Sequence, residues 1–332
     1  MKITGKLLAL AAISMILLSC GTTKKQYQTS LPPIHGGDLR CVGYIPSWRY
    51  DFYETLDWNA LTHVNIAFCN PDTLGNMQNP FRRNPEDFHR IVAQAHKNGV
   101  KVMASLGGGG GGKNYPALLE TDQGRKDFCV KIMNYVKEYN LDGVDLDLEE
   151  GPGHILWNYY EPWVIELRKH CSDAGILLTT AVSTWFSNSI TDATFNCFDF
   201  INIMAYDGPF EAHSTIELAT TMARHYHEKR GINPADIVIG VPFYGYPSDG
   251  GFGNSKSYRD IMILYPKAWK KDHAEKFGYN GVNTIKEKSR IARHYGGIMI
   301  WELSNDVSGN RSLLGTIKKH LFKTGTAPRG DR

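Results

Sequence analysis

From about residue 39 onward, short apolar runs alternate with longer stretches in which apolar residues recur at helical spacing. The runs Cys41–Pro46, His63–Cys69, Val100–Leu106, Gly143–Glu149, Ile176–Val182, Phe198–Tyr206, Ile237–Tyr244 and Gly297–Trp301 predict strands. The stretches between them predict helices near Pro85–Lys97, Gly124–Tyr139, Tyr159–Ala174, Thr215–Lys229 and Thr284–His294, with a last one near Arg311–Leu321. Alternation of this kind means parallel strands joined by crossover helices, and eight such units over about 285 residues match a single-domain α/β fold, the (β/α)8 TIM barrel. An open doubly wound sheet would place a glycine-rich phosphate fingerprint after its first strand, and Gly43-Tyr44-Ile45-Pro46 is not one.

The ends of the chain break the pattern. Lys2 and Lys6 precede an apolar run from Leu7 to Leu18, which is shorter than the roughly 20 residues that cross a bilayer and has the layout of a signal peptide. Leu17-Leu18-Ser19-Cys20 is similar to a bacterial lipobox, so Cys20 is the expected lipidation site and mature N-terminus. The expected division is residues 1–20 signal peptide, 21–38 polar tether, 39–323 barrel and 324–332 polar tail. The expectation from that layout is an exported lipoprotein, held by a lipid anchor on the outer membrane, at the cell surface or the periplasmic face. Composition adds limits. Of 332 residues, 42% are hydrophobic and 21% charged, which suits a large folded core, and a net charge of +3 without a basic stripe disfavours nucleic acid as a partner. With Cys20 lipidated, five cysteines remain and cannot all pair, so they read mainly as small buried residues.

Candidate chemistry concentrates on the fourth strand. In Asp142-Gly-Val-Asp145-Leu-Asp147-Leu-Glu149, strand alternation puts Asp145, Asp147 and Glu149 on one face and Val144, Leu146 and Leu148 on the other. The apolar set must meet the helices, so the acids climb the barrel interior toward the rim where barrel enzymes do their chemistry. Cations to neutralise them are scarce, since the other predicted strands carry Arg or Lys only at Lys101. Crowded, desolvated carboxyls should therefore share protons and rise in pKa, as a general acid requires, with Glu149 nearest the rim.

This motif resembles the D-G-x-D-x-D-x-E signature of glycoside hydrolase family 18, the family of chitinases and endo-β-N-acetylglucosaminidases. Further segments agree: Gly43-Tyr44 on the first strand, Ser105-Leu106-Gly107-Gly108 on the third, Met204-Ala205-Tyr206-Asp207 on the sixth, Gly240-Val-Pro-Phe-Tyr244-Gly on the seventh and Trp301 on the eighth. The resemblance implies substrate-assisted, retaining hydrolysis of β-1,4-linked N-acetylglucosamine, without cofactor. Under it Glu149 is the acid, Asp147 orients the substrate's acetamido group, Asp145 tunes Asp147 with Tyr44 and Ser105, and Tyr206 bonds the acetamido oxygen. Met204, Asp207 and Trp301 are then substrate contacts, with the tryptophan as floor. The expected partner is an N-acetylglucosamine polysaccharide or oligosaccharide, bound by a monomer. An N-glycan core, peptidoglycan and a non-catalytic glycan-binding barrel are the alternatives.

Three features depart from the family or mimic something else. Leu148 and Glu150 flank the acid where the family often has an aromatic residue and a tyrosine. About fifty residues separate Tyr244 from Gly297, too few for the α+β domain that some relatives insert there, so a shallow cleft is expected. Gly107 to Gly112 followed by Lys113 nearly spells a phosphate loop, but Asn114 replaces its Ser/Thr and Pro116 follows, which reads as a flexible rim loop. No cysteine or histidine spacing suggests a metal site; His225 and His227, two apart on a predicted helix, cannot share a face.

Overall fold

The computed structural model describes residues 31–34 and 38–322. The predicted signal peptide, the Cys20 lipidation position, most of the tether and the tail 324–332 lie outside the described residues. Eight strands form a closed parallel barrel: β1 (Arg40–Pro46), β2 (His63–Ala67), β3 (Lys101–Gly107), β4 (Gly143–Asp147), β5 (Leu177–Val182), β6 (Phe200–Ile203), β7 (Ile237–Pro242) and β12 (Gly297–Trp301). They pair in the order β1-β12-β7-β6-β5-β4-β3-β2. Each predicted strand is present. Helices Glu86–Lys97, Asp122–Glu138, Trp157–Ala174, Ile216–Arg224, Val282–Ala292 and Leu313–Leu321 cover the outside.

Local chemistry sets several boundaries. Thr215 caps the helix Ile216–Arg224 by accepting from the Leu218 N–H, and Gly175 ends Trp157–Ala174 in the left-handed conformation. The reading of one helix over Thr215–Lys229 needs correction at its end, because residues His225–Lys229 continue as a π turn. Four strands stop short of their expected ends, β2 at Ala67 and β7 at Pro242 as well as β4 and β6. β6 stops at Ile203, where the Ala205 N–H turns back to the Ile203 carbonyl, and β4 stops at Asp147, so Glu149 stands just beyond the ladder.

The interval between β7 and β12 holds no large domain but carries its own small sheet. Strands β8 (Tyr244–Pro247), β9 (Lys256–Ser257), β10 (His273–Ala274) and β11 (Phe277–Gly278) pair in the order β10-β11-β8-β9, with the helix Tyr258–Leu264 between β9 and β10. Val144, Leu146 and Leu148 are buried on the helix side of β4, as the alternation requires. Cys41, Cys69, Cys129 and Cys171 are buried, Cys197 is half-buried, and none of these five is in a disulfide.

Candidate active site

Register places the deepest acid. Ser105 on β3 and Thr179 on β5 flank Asp145 on β4 at the same level of the barrel. Asp145 is fully buried, and its Oδ2 accepts from the Tyr44 and Ser105 hydroxyls, both at 2.8 Å. Its Oδ1 accepts from Thr179 Oγ1 at 2.7 Å and Asn202 Nδ2 at 3.3 Å. Four neutral donors thus surround a carboxylate that has no cation. Burial pushes its pKa up, and the bonds from Thr179, Tyr44, Ser105 and Asn202 pull it back.

One step up, the environment reverses. Asp147 is 3% exposed and its Oδ1 has no hydrogen-bond partner. Burial, then the Glu149 and Asp145 charges, hold it well above the usual carboxylate range. Glu149 is half-buried at the mouth, its pKa pushed up to about 7 by burial, then by Asp207 and Glu150. The three acids on one face are thus pushed to different degrees because their surroundings differ.

The far wall comes from the ends of β6 and β7. Tyr206 is held well above its ordinary pKa by burial and by Asp147, Asp207 and Glu149, so it stays a neutral donor; its hydroxyl is paired with nothing nearer than the Met299 sulfur at 3.9 Å. Asp207 adopts a left-handed backbone at φ 62° and is fixed by the Tyr244 and Tyr246 hydroxyls, at 2.5 and 3.0 Å. His213 lies 3.7 Å from the same Asp207 oxygen. Met204 is buried beneath, and the Trp301 ring stacks on Phe68 at 5.6 Å and stands edge-on to Tyr44 at 5.3 Å. All of the residues singled out inside the barrel from the sequence, Tyr44, Ser105, Asp145, Asp147, Glu149, Met204, Tyr206, Asp207 and Trp301, gather at this mouth.

The glycine run is packed at its ends, while Gly109 and Gly110 in its middle are exposed. A side chain on Gly107, at φ 116°, would come 2.2 Å from the Asp147 carbonyl oxygen, and the Gly108 N–H donates to that same oxygen at 2.7 Å. One on Gly108 would strike the Phe68 ring, and one on Gly112 the Glu150 carboxylate. The run lets backbone wedge against the acids. Pro116, read as an obstacle to a helix, sits in the first turn of the helix Tyr115–Leu119, where no intrahelical N–H is needed.

Several functional candidates escaped the sequence. Thr179 and Asn202 complete the Asp145 shell, and the inward parity of β5 and β6 could have flagged them. Trp48 is 59% exposed and Trp185 61% exposed, past the ends of β1 and β5. The rule that picked Trp301, an aromatic residue where a barrel strand meets the rim, applies to both. Trp48 borders two depressions, one of about 680 Å³ with Phe68, Asn70 and Lys113, the other of about 330 Å³ with Asp207, Tyr244, Tyr246 and Trp301.

Residues 40–306 match the family model for glycosyl hydrolases family 18. The chain belongs to this family. A family 18 chitinase from the chitin utilization locus of Flavobacterium johnsoniae is 34% identical, with 86% of this chain and 94% of that one covered at a TM-score of 0.77. A chitinase from Bacteroides thetaiotaomicron is 26% identical, with coverage of 87% and 98% and a TM-score of 0.78. Among curated proteins, probable chitinase 10 of Drosophila melanogaster is 25% identical over 88% of this chain, which spans only 16% of that protein's length. For probable chitinase 2 of the same fly the identity is 26%, and the chain spans 51% of its length. This family 18 barrel therefore matches two bacterial chitinases over nearly their whole structures.

Proposed function

We propose that the protein is a chitinase-like glycoside hydrolase that cuts β-1,4-linked N-acetylglucosamine chains with retention of anomeric configuration. The observation that carries this reading is the graded acid series, with Glu149 pushed up to about 7 above an Asp147 held well above the usual carboxylate range. Glu149 gives its proton to the glycosidic oxygen as the bond to the anomeric carbon breaks. The substrate's own 2-acetamido oxygen attacks that carbon and forms an oxazolinium ion; Asp147 orients the acetamido N–H, and the free Tyr206 hydroxyl donates to the acetamido oxygen. Glu149, now a carboxylate, takes a proton from the water that opens the ring. Trp301 offers a flat apolar floor for the sugar, and Asp207 contacts its hydroxyls.

Similarity to the Flavobacterium and Bacteroides chitinases supports chitin-type chains as substrate. The test is incubation of the protein with chitooligosaccharides and, separately, with a high-mannose glycoprotein, reading the fresh anomer by proton NMR. Cleavage of chitooligosaccharides to the β-anomer is expected. Cleavage of the glycoprotein alone would move the substrate to N-glycan cores, and binding without cleavage would make the barrel a lectin. The Leu17-Leu18-Ser19-Cys20 segment supports export and lipid attachment, for which labelled palmitate incorporation that disappears in Cys20→Ser is the check.

A further inference from the structure

Lys288 is fully buried on the inner side of the helix Val282–Ala292, and among the described residues no carboxylate lies within ion-pair distance of it. Its Nζ instead reaches three uncharged oxygens: Ser214 O at 2.7 Å, Ser214 Oγ at 2.6 Å and Asn280 Oδ1 at 2.8 Å. Each of these must accept. The Ser214 hydroxyl spends its own proton on the Ala205 carbonyl at 2.7 Å, and the Asn280 amide nitrogen donates to Ser214 O at 2.8 Å. Three acceptors match three N–H donors, which an ammonium has and a neutral amine lacks. Burying a charge without a counter-charge costs several kcal/mol, so the arrangement calls for a role.

The tied residues reveal where that role lies. Ala205 and Ser214 bracket the loop that carries Tyr206 and Asp207. Within it the Gly208 N–H donates to the His213 carbonyl at 2.9 Å, and the buried His213 ring packs between Tyr244 and Tyr246, the two tyrosines that grip Asp207. The loop is thus closed on itself and moored at its base to one nitrogen.

We propose that the ammonium form of Lys288 is a positioning residue that holds the 205–214 loop, and with it Tyr206 and Asp207, in the sugar-binding arrangement. This rests on the reading of those two residues as sugar contacts. The consequence is a pH dependence of binding distinct from that of the acids. Burial pushes the Lys288 amine down to about 7, against the opposing pull of Asp272 and Glu217, so the mooring is complete in acid and loses one bond as pH rises through neutrality. Its bonded neighbours are Ser214 from the loop and Asn280 from the segment ahead of its helix, and the charges that act on it are Asp272, from that same segment, and Glu217, from the helix Ile216–Arg224. A deprotonated nitrogen would turn a lone pair toward one of its three acceptors.

The experiment measures tetra-N-acetylchitotetraose binding by calorimetry at pH 6 and pH 8.5, in the full chain carrying Glu149→Gln so that no cleavage occurs. Affinity is expected to fall with pH, and the ratio of the two affinities should be about tenfold larger in Glu149→Gln than in Glu149→Gln/Lys288→Met, the worth of one bond to a charged donor. Because the methionine variant can fail to fold, Ser214→Ala in the same background serves as a second probe. It removes one acceptor from the ammonium, so the pH at which affinity falls should move downward. Equal pH ratios in the parent and the methionine variant, or an unmoved midpoint in Ser214→Ala, would overturn the inference while leaving the hydrolase reading standing. A natural chain that cleaves no chitooligosaccharide, together with a Glu149→Gln chain that binds none, would instead remove the functional reading and this inference together.

Discussion

Glu149→Gln should abolish turnover and at the same time stabilise the fold, and the size of the second effect depends on pH in a way the structure dictates. The side chain has an ordinary pKa of 4.5 and a folded value of about 7, raised by burial first and then by Asp207 and Glu150. Between those values the folded chain binds a proton that the unfolded chain has released. Stability therefore falls as pH rises through this window: the burial penalty is absent below about 4.5 and complete above about 7. A gap of about 2.5 pH units at about 1.36 kcal/mol each sets a ceiling of about 3 kcal/mol, and the partial exposure of Glu149 at the mouth brings the expected value to about 1–3 kcal/mol. Glutamine keeps the shape without the charge. At about 2 °C per kcal/mol for a chain of this size, thermal unfolding at pH 8 should move up by about 2–6 °C in the variant and stay unmoved at pH 4, while kcat on chitotetraose drops by about a thousandfold or more. Scanning calorimetry across pH 4–8 beside a hydrolysis assay reads both. A variant less stable than the natural protein at pH 8, or equally stabilised at pH 4, would refute the assignment of Glu149 as a strained, proton-holding acid.

Other substitutions separate binding, chemistry and folding. Tyr206→Phe removes a hydroxyl whose nearest partner is a sulfur at 3.9 Å, so the unfolding midpoint should hardly change while kcat falls by about a hundredfold, checked by steady-state kinetics and denaturant titration. Asp145→Asn turns an amide NH2 toward one of the two donor pairs, Tyr44 with Ser105 or Thr179 with Asn202, and should cost about 2 kcal/mol in urea unfolding in addition to activity. Trp301→Ala removes the ring that stacks on Phe68 and meets Tyr44; an increase in KM of about tenfold or more is expected, with a loss of about 3 kcal/mol of stability.

The barrel was legible because its signal is local. Each strand is a short apolar run and each helix a stretch of helical period, and their alternation permits few topologies. The acids were legible for a related reason, since alternation within one strand assigns a face to each residue with no knowledge of the rest. What escaped depends on pairings between distant segments. Strands β9, β10 and β11 have two residues each, too short for any period; β9 and β11 exist because β8 offers them its edges, and β10 because β11 offers it one. The four donors on Asp145 come from four different strands, and only the register brings Thr179 and Asn202 to its level. Lys288 occupies an inward position of an amphipathic helix, where a lysine in a sequence reads as solvent-facing. The end of β4 was overrun for a different reason: Leu148 and Glu149 continue the alternation, but the last rung to β3, from the Gly108 N–H to the Asp147 carbonyl, falls short of them.

Three acids of nearly the same chemistry on one strand would be a liability if they shared one environment, because mutual repulsion would leave their protons interchangeable. The fold prevents that by grading the supply of donors with depth. Asp145, at the bottom, receives four hydrogen bonds; Asp147, above it, has a buried oxygen with none; Glu149 looks into the mouth between Asp207 and Glu150. Removing donors from the bottom should therefore act at the top: with Asp145 less able to hold its charge, the electrostatic pressure on Asp147 eases and the proton that Glu149 must deliver is less well matched to neutral pH. On the proposed mechanism the catalytic property belongs to the gradient, and the residues that set it, Tyr44, Ser105, Thr179 and Asn202, need not touch the sugar at all.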